Sequence, residues 1–303
     1  MKSYTKQILR DRLKTENEIL RRLRVAYTQA AKDIENKVER LIAREKLGSG
    51  NVLQLRYQKR LRAVINEVLK GFDEGLITTL EDYLKTAYID GQIGALYSLQ
   101  RQGIPLLLPV HPDKVALSLP TGPYAINKTI GRVIVNIADT VQQEITRGLV
   151  QGSSFSDIAK GIEARCNVGL SRSYTIARTE AHRVTEEARY DTMKEAETYG
   201  VKMYKRWDAA LDSRTRITHM KLDGVIVPID QPFVVDGKKA MYPGAFGEPE
   251  EDINCRCTIE EVAQWEINEN LARTKYSDRD GMIVNVGDIK DYEKFKRKYK
   301  STL

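Results

Sequence analysis

The chain has 303 residues, 41% of them hydrophobic, and carries a formal net charge of +7. This length and apolar content suffice for one large core or two modest ones, which argues against a disordered chain and favours two domains. The chain has no run of about 18 apolar residues, and its first residues lack the apolar middle of a secretion signal, so we expect neither a membrane-spanning helix nor export. Three cysteines, an odd number, favour thiols or a metal in a reducing compartment over a disulfide scaffold.

Residues 1–102 are expected to form a basic helical domain. Proline is absent before Pro105, and apolar residues recur at helical spacing across 9–41, which is typical of an amphipathic helix. Two further helices are predicted at 52–70 and 77–101, giving a helical hairpin or small bundle.

Positive charge is concentrated at the start of this domain. The first 70 residues hold eighteen Lys and Arg against eight Asp and Glu, a net charge of +10, so the rest of the chain is slightly acidic. This favours a polyanionic partner, with nucleic acid ahead of an acidic membrane surface or protein, although a solvated helix face has the same composition. Such groups bind phosphates without reading bases, so DNA contact should be non-specific and salt-sensitive. The candidate contacts are Arg10, Arg12, Arg21, Arg22, Arg24, Lys37, Arg40, Lys59 and Arg60.

Residues 103–124 are predicted to be an extended, proline-rich linker between two domains. Five prolines from Pro105 to Pro123 disfavour a helix, and the leucines among them disfavour a free linker, so the segment should lie across a neighbour. Beyond it, helices are predicted at 126–149, 158–165 and 170–199.

From residue 201 the pattern changes to short β-like runs separated by Gly, Pro and Asp turns, at 201–207, 225–229, 233–235 and 256–262. The predicted fold class is therefore α+β, with a predominantly helical amino-terminal half and a carboxy-terminal helical region that carries a small mixed β lobe. We place the second domain at 125–262 and a polar, basic tail at 263–303.

The β lobe contains one of the three histidines, His219, and two of the three cysteines, Cys255 and Cys257. If the cysteines lie on a strand, both sulfurs point to one face and Arg256 to the other. A disulfide between them would be strained, whereas two thiolates and an imidazole supply three ligands of a tetrahedral zinc site. Asp212 or His182 could supply the fourth. Reduced cysteines are also often inert core residues, so a zinc site and a polar network both fit this pattern.

The run 212–219 combines a carboxylate, two guanidinium groups and an imidazole. A metal-dependent nuclease or phosphotransfer enzyme could use His219 and Asp212 in this way. In the structural alternative, Asp212 caps a short helix, the arginines pair with carboxylates, and His219 packs or binds a metal. No phosphate-binding glycine loop and no nucleophile with an evident base accompanies the run, so we expect no catalytic residues and no enzyme.

Several separated motifs carry a resemblance to a known family. They are ARTEAHR at 177–183, KRWDAALDSRTRITHMKLDG at 205–224 and INCRC at 253–257, with Phe233 and Pro243-Gly244 between them. In this order, over about residues 136–262, they resemble the minor head, or head-morphogenesis, proteins of tailed bacteriophages related to Mu protein F. The family's motif positions fall on Asp212, Arg216, His219, Gly224, Asn254, Cys255 and Cys257, and we assign structural roles to Arg178, Glu180 and Trp207 as well.

The resemblance implies a structural protein present in few copies per virion, associated with the portal at one capsid vertex and acting in head assembly. In some relatives such proteins contact packaged DNA or leave with it. The expected partners are portal protein and, further, scaffolding protein and double-stranded DNA, with no membrane in the assembled state. The expected location is the capsid interior near the portal vertex, after assembly in the host cytoplasm. Some relatives are fused to toxin domains, but we expect no further domain after residue 262. A third hypothesis is a helical interaction protein whose basic face meets an acidic partner.

Overall fold

The structure, a computed structural model, describes residues 3–110, 112–121, 125–267 and 297. Long helices dominate this part of the chain, and a small antiparallel sheet follows them, which confirms the predicted α+β class. None of the described helices combines the length and the apolar content that a bilayer crossing requires. Most of the predicted tail at 263–303 lies outside the described residues.

The helices are longer than the sequence predicted. The helix α2 (Leu55–Arg101) runs without a break through 71–76, where two separate helices were expected, and α5 (Phe155–Thr198) is likewise continuous through 166–169. Gly169 lies inside α5, and a Cβ at this position would come within 2.4 Å of Ile137 Cδ1, so this glycine permits close packing. The helices are α1 (Ser3–Glu45), α2 (Leu55–Arg101), α3 (Pro112–Ser118), α4 (Ile126–Gln151), α5 (Phe155–Thr198), α6 (Ile217–Leu222) and α7 (Pro249–Asp252).

The helix α3 corrects the prediction that the proline-rich segment is extended throughout. It begins at Pro112, where the fixed φ of proline suits a first helical turn and no amide hydrogen is needed. The prolines at 105 and 109 do lie in non-helical chain.

The sheet has three antiparallel strands in the order β2-β1-β5: β2 (Ile226–Pro228), β1 (Met203–Asp208) and β5 (Thr258–Ala263). The register places Trp207 opposite Ile259. A separate hairpin joins β3 (Phe233–Val235) to β4 (Lys238–Ala240). Asp236 and Gly237 both have positive φ at its turn, which is the conformation that Asp-Gly favours in two-residue hairpins. The strand β4 was not predicted from the sequence.

The chain forms two compact units, and each is assembled from separate stretches. The first contains Met1–Glu16, Tyr83–Leu119 and Arg178–Leu303, and the second contains Asn17–Asp82 and Pro120–Ala177. The predicted domains 1–102 and 125–262 each contribute to both units. The predicted boundaries themselves stay predictions.

Each unit has its own apolar interior. The core of the first unit includes three fully buried side chains on its strands: Trp207, Phe233 and Ile259. In the second unit, Ile34, Val38, Leu61, Ile65, Val141 and Ile145 are fully buried. Helical spacing places these side chains on the inward faces of α1, α2 and α4.

Candidate functional site

His219, Cys255 and Cys257 converge in the first unit. The Nδ1 atom of His219 lies 3.3 Å from Cys257 Sγ and 3.6 Å from Cys255 Sγ, and the three donor atoms all lie within 4.8 Å of one another. All three residues are buried, with at most 3% of their surface exposed. The structure thus brings together the three residues that the sequence singled out as metal ligands.

The short helix α6 and its neighbours position the imidazole. Ile217 and Met220 face outward on this helix, whereas His219 and Leu222 are buried. The ring of His219 meets Trp207 edge-on at 5.4 Å and stacks on Phe246 at 5.7 Å between centroids. These aromatic contacts restrict the ring to one orientation.

The cysteines precede β5 and do not lie on a strand, because β5 begins only at Thr258. The alternation expected of a strand is nevertheless present, since Cys255 and Cys257 are buried and Arg256 is not. A turn at Asn254, whose φ is +57°, brings the chain from α7 into this segment. The backbone N–H of Asn254 donates to Thr179 Oγ1 at 3.2 Å and so ties the turn to α5.

The two thiols shift each other's pKa in opposite directions. Hydrogen bonding to Cys257 holds the pKa of Cys255 well below its usual value, with His182 and His219 lowering it further against the effect of burial. The same bond, together with burial, raises the pKa of Cys257. The backbone N–H of Ala210 acts in the opposite direction and lowers the pKa of Cys257. The indole Nε1 of Trp207 is buried and has no hydrogen-bond partner.

A buried carboxylate lies on the far side of the imidazole. Glu251 Oε2 lies 3.2 Å from His219 Nε2. Burial acts to raise the pKa of Glu251, but hydrogen bonds from Lys238 and Thr218 outweigh it and the pKa is lowered. Glu251 is therefore an anion beside His219. The sequence did not single it out as a site residue, because the neighbouring Glu248, Glu250 and Asp252 are also acidic.

The structure does not bring Asp212 into this cluster. Its Oδ1 accepts from Arg256 Nη2 at 2.6 Å, from the backbone N–H of Arg214 at 2.9 Å and from Thr215 Oγ1 at 3.2 Å. The bond to Arg256 is the main reason why the pKa of Asp212 lies well below its usual value. Arg216, not Asp212, occupies the N-cap position of α6, so Asp212 forms a turn before the helix.

His182 lies next to the cluster, fully buried on α5. Its Nδ1 receives a hydrogen bond of 2.5 Å from Arg12 Nη2. Because a guanidinium can only donate, Nδ1 must be the unprotonated nitrogen, and in a neutral ring Nε2 then carries the proton. His182 Nε2 is buried and has no hydrogen-bond partner, while His182 lowers the pKa of Cys255.

The other predicted motif residues tie segments of the same unit together. Arg178 Nε donates to Glu16 Oε1 at 2.6 Å, and Arg183 Nε donates to Glu180 Oε2 at 3.0 Å. Arg216 Nη2 donates to the carbonyl of Ile253 at 2.6 Å. Gly224, with φ of +79°, donates its N–H to the carbonyl of Trp207 at 2.9 Å. These residues hold the lobe in shape.

The predicted DNA contacts fall into two groups. In the first, each cation already contacts a carboxylate: Arg12 with Glu186, Arg21 and Arg22 with Glu18, Lys37 with Glu67, and Arg60 with Glu45. The two arginines lower the pKa of Glu18 to about 2. In the second group, Arg24, Arg40 and Lys59 are exposed, and Arg10 is half-buried.

The motif residues thus make contacts within one unit, around a buried cluster of two cysteines and a histidine. Residues 139–260 match the family model described as Phage Mu protein F like protein. This match, with that to a phage minor head protein described next, confirms the resemblance predicted from the motifs to the minor head proteins related to Mu protein F.

Two relatives match most of the chain. Minor head protein GP7 of Bacillus phage SPP1 is 27% identical over 286 residues, which are 91% of this chain and 92% of that protein. A protein named NAD(+)--arginine ADP-ribosyltransferase EFV, from Enterococcus faecalis, is 30% identical over 260 residues, which are 82% of this chain. The match spans only 51% of the enterococcal protein. No solved structure matches the chain.

Proposed function

We propose that this protein is a virion component that binds the portal vertex, acts in head assembly and contacts packaged DNA without sequence preference. Membership of the minor head family supports the role in head morphogenesis. The single observation that carries the structural role is the use of the motif side chains. Asp212 binds Arg256, and Arg216 binds the carbonyl of Ile253, so these groups maintain the lobe and are not directed at a substrate.

Portal association is tested by co-expression with the portal protein of the same phage. The two proteins should elute together in gel filtration, and purified virions should contain this protein in far fewer copies than the major capsid protein. Scaffolding protein is a further candidate partner and is included in the same co-expression. Absence from purified virions would refute the proposal, as would a copy number equal to that of the major capsid protein.

A metal-dependent nuclease is the rival function, and the structure disfavours it. Asp212 is occupied by Arg256, and His219 is only 1% exposed, so a phosphodiester could not reach the pair. Plasmid DNA incubated with the protein and Mg²⁺ or Mn²⁺ should therefore stay intact. Cleavage that disappears in a folded His219→Ala variant would establish the rival instead.

The name of the enterococcal relative suggests a second activity to test. We place transferase chemistry in the part of that protein that this chain does not match, because the match spans about half of it. The purified protein should neither consume NAD⁺ nor label arginine side chains of added proteins. NAD⁺ consumption by the purified chain would overturn this assignment.

A further inference from the structure

The cluster of His219, Cys255 and Cys257 has the dimensions of a zinc site. Bonds of about 2.3 Å to sulfur and about 2.1 Å to nitrogen place S and N atoms about 3.6 Å apart around a tetrahedral zinc ion. The observed separations from His219 Nδ1 are 3.3 Å and 3.6 Å. We propose that these three side chains bind one zinc ion, which joins α6 to the segment that enters β5. This site does not depend on the proposed head function.

The surroundings of the three donors fit a bound cation. Glu251 Oε2 lies 3.2 Å from His219 Nε2, which is within ion-pair distance although Nε2 makes no aligned hydrogen bond. A carboxylate at the outer nitrogen is the usual partner of a metal-bound histidine.

A network of thiols and imidazole without a metal is the competing account. It would satisfy the same short distances, since His219 Nδ1 can bond to either sulfur. A metal-free network does not explain why the two thiols converge on an imidazole that lies 36 and 38 residues away in sequence. It also does not explain the buried carboxylate of Glu251 on the other side of that imidazole. Two thiolates and one imidazole are a donor set that favours zinc over Mg²⁺ or Ca²⁺.

His182 lies next to this site but is not one of the zinc ligands. Since Arg12 occupies its Nδ1, the neutral ring keeps its proton on Nε2 and cannot coordinate through that atom. The zinc ion therefore takes three protein ligands, and a non-protein ligand completes the coordination.

The first experiment measures zinc in the full-length protein, purified without chelators or a histidine tag. We expect about one zinc per chain and a Tm that falls by roughly 10 °C in a strong chelator, because metal binding adds to folding stability. Cys257→Ser and His219→Gln should each abolish zinc retention. Cys166→Ala is the matched control, since Cys166 is a buried free cysteine of the second unit and should leave zinc content unchanged.

Cobalt substitution keeps the test informative if a variant fails to fold. The wild-type protein loaded with Co²⁺ should show thiolate-to-metal absorption and the strong visible bands of a tetrahedral site. His182→Gln should keep the metal stoichiometry, and loss of the metal in this variant would overturn the three-ligand assignment. The proposal as a whole is overturned if wild-type protein dialysed against Zn²⁺ retains none and its Tm is the same with and without chelator.

Discussion

Lys205 is a buried amine on β1, with no surface exposed. Its Nζ donates to the carbonyl of Ile229 at 3.0 Å and lies 4.7 Å from the ring centroid of Tyr190 and 5.4 Å from that of Phe233. Burial lowers its pKa to about 8, although the charge of Asp230 acts to raise it. A folded-state pKa below the value of the unfolded chain means that the folded state releases its proton first.

We therefore expect the stability of the protein to depend on pH through Lys205. Below pH 8 both states carry the charge and its burial is unfavourable. Between about pH 8 and 10.5 only the unfolded chain holds the proton, so the free energy of unfolding rises by up to about 3 kcal/mol. Urea unfolding at pH 7 and pH 10 should show the wild type gaining stability relative to Lys205→Met as pH rises. Lys239→Met, at an exposed position on β4, should show no such difference, and a gap between wild type and Lys205→Met that is independent of pH would contradict the argument.

Between elements, a buried ion pair joins α5 to β5. Arg189 Nε and Nη2 donate to the two carboxylate oxygens of Glu261 at 2.8 and 2.9 Å, and neither residue is more than 1% exposed. The charge of Glu261 helps to raise the pKa of Arg189 despite its burial. Each residue of the pair compensates the buried charge of the other, so losing one partner would leave an unpaired charge that water cannot reach.

Removing one member of this pair should be worse than removing both. Arg189→Met leaves the Glu261 carboxylate buried and unpaired, and we expect a loss of about 3–5 kcal/mol in the free energy of unfolding. Arg189→Met combined with Glu261→Met should recover a large part of that loss. Chemical denaturation of the single and double variants measures the coupling, and additive losses would show that the pair is not the unit of stability.

Close packing between α2 and α5 depends on Gly91. A Cβ at this position would lie 2.5 Å from the carbonyl oxygen of Thr185 and 3.0 Å from Ala188 Cβ. We expect Gly91→Ala to destabilise the protein by about 1–3 kcal/mol, because the backbone of α5 must move. Gly71→Ala in the same helix meets nothing within 4 Å and should stabilise it by up to about 1 kcal/mol through helix propensity. Thermal melts of both variants compare them directly, and equal shifts would contradict the packing argument.

The elements were predictable where their cause is local. Apolar spacing gave α1 and α4, and turn residues gave β1, β2 and β3 to within a few residues. The breaks expected in α2 and α5 were wrong. The helix α2 continues through Gly71 and Gly75, where an added Cβ would meet nothing within 4 Å, and in α5 Gly169 serves a contact with Ile137 that the sequence does not display. In the candidate site, residue type and spacing suggested His219, Cys255 and Cys257. The bond from Arg256 to Asp212 joins positions 44 residues apart, so it could not be predicted from the residues next to either one.

At the scale of the whole molecule, the number of unpaired positive charges limits the strength of the proposed binding to DNA. Carboxylates already engage more than half of the nine predicted contacts, so the net charge of +10 in the first 70 residues overstates the free positive charge. Arg24, Arg40 and Lys59 are the exposed cations of that set without such a pairing in the described structure. We therefore expect weak, non-specific binding that neutralises about three phosphates.

This expectation is tested by the salt dependence of binding to duplex DNA. The logarithm of the association constant should fall with the logarithm of salt concentration with a slope of about −3, equally for unrelated sequences. Changing Arg24, Arg40 and Lys59 to Glu should abolish retention on a DNA column. The same change at Lys128, Lys160 and Lys239, which are exposed outside the basic segment, alters the net charge equally and should weaken retention far less. Equal loss in both triple variants would mean that total charge governs binding, and binding unaffected by salt would favour an interaction protein with an acidic partner.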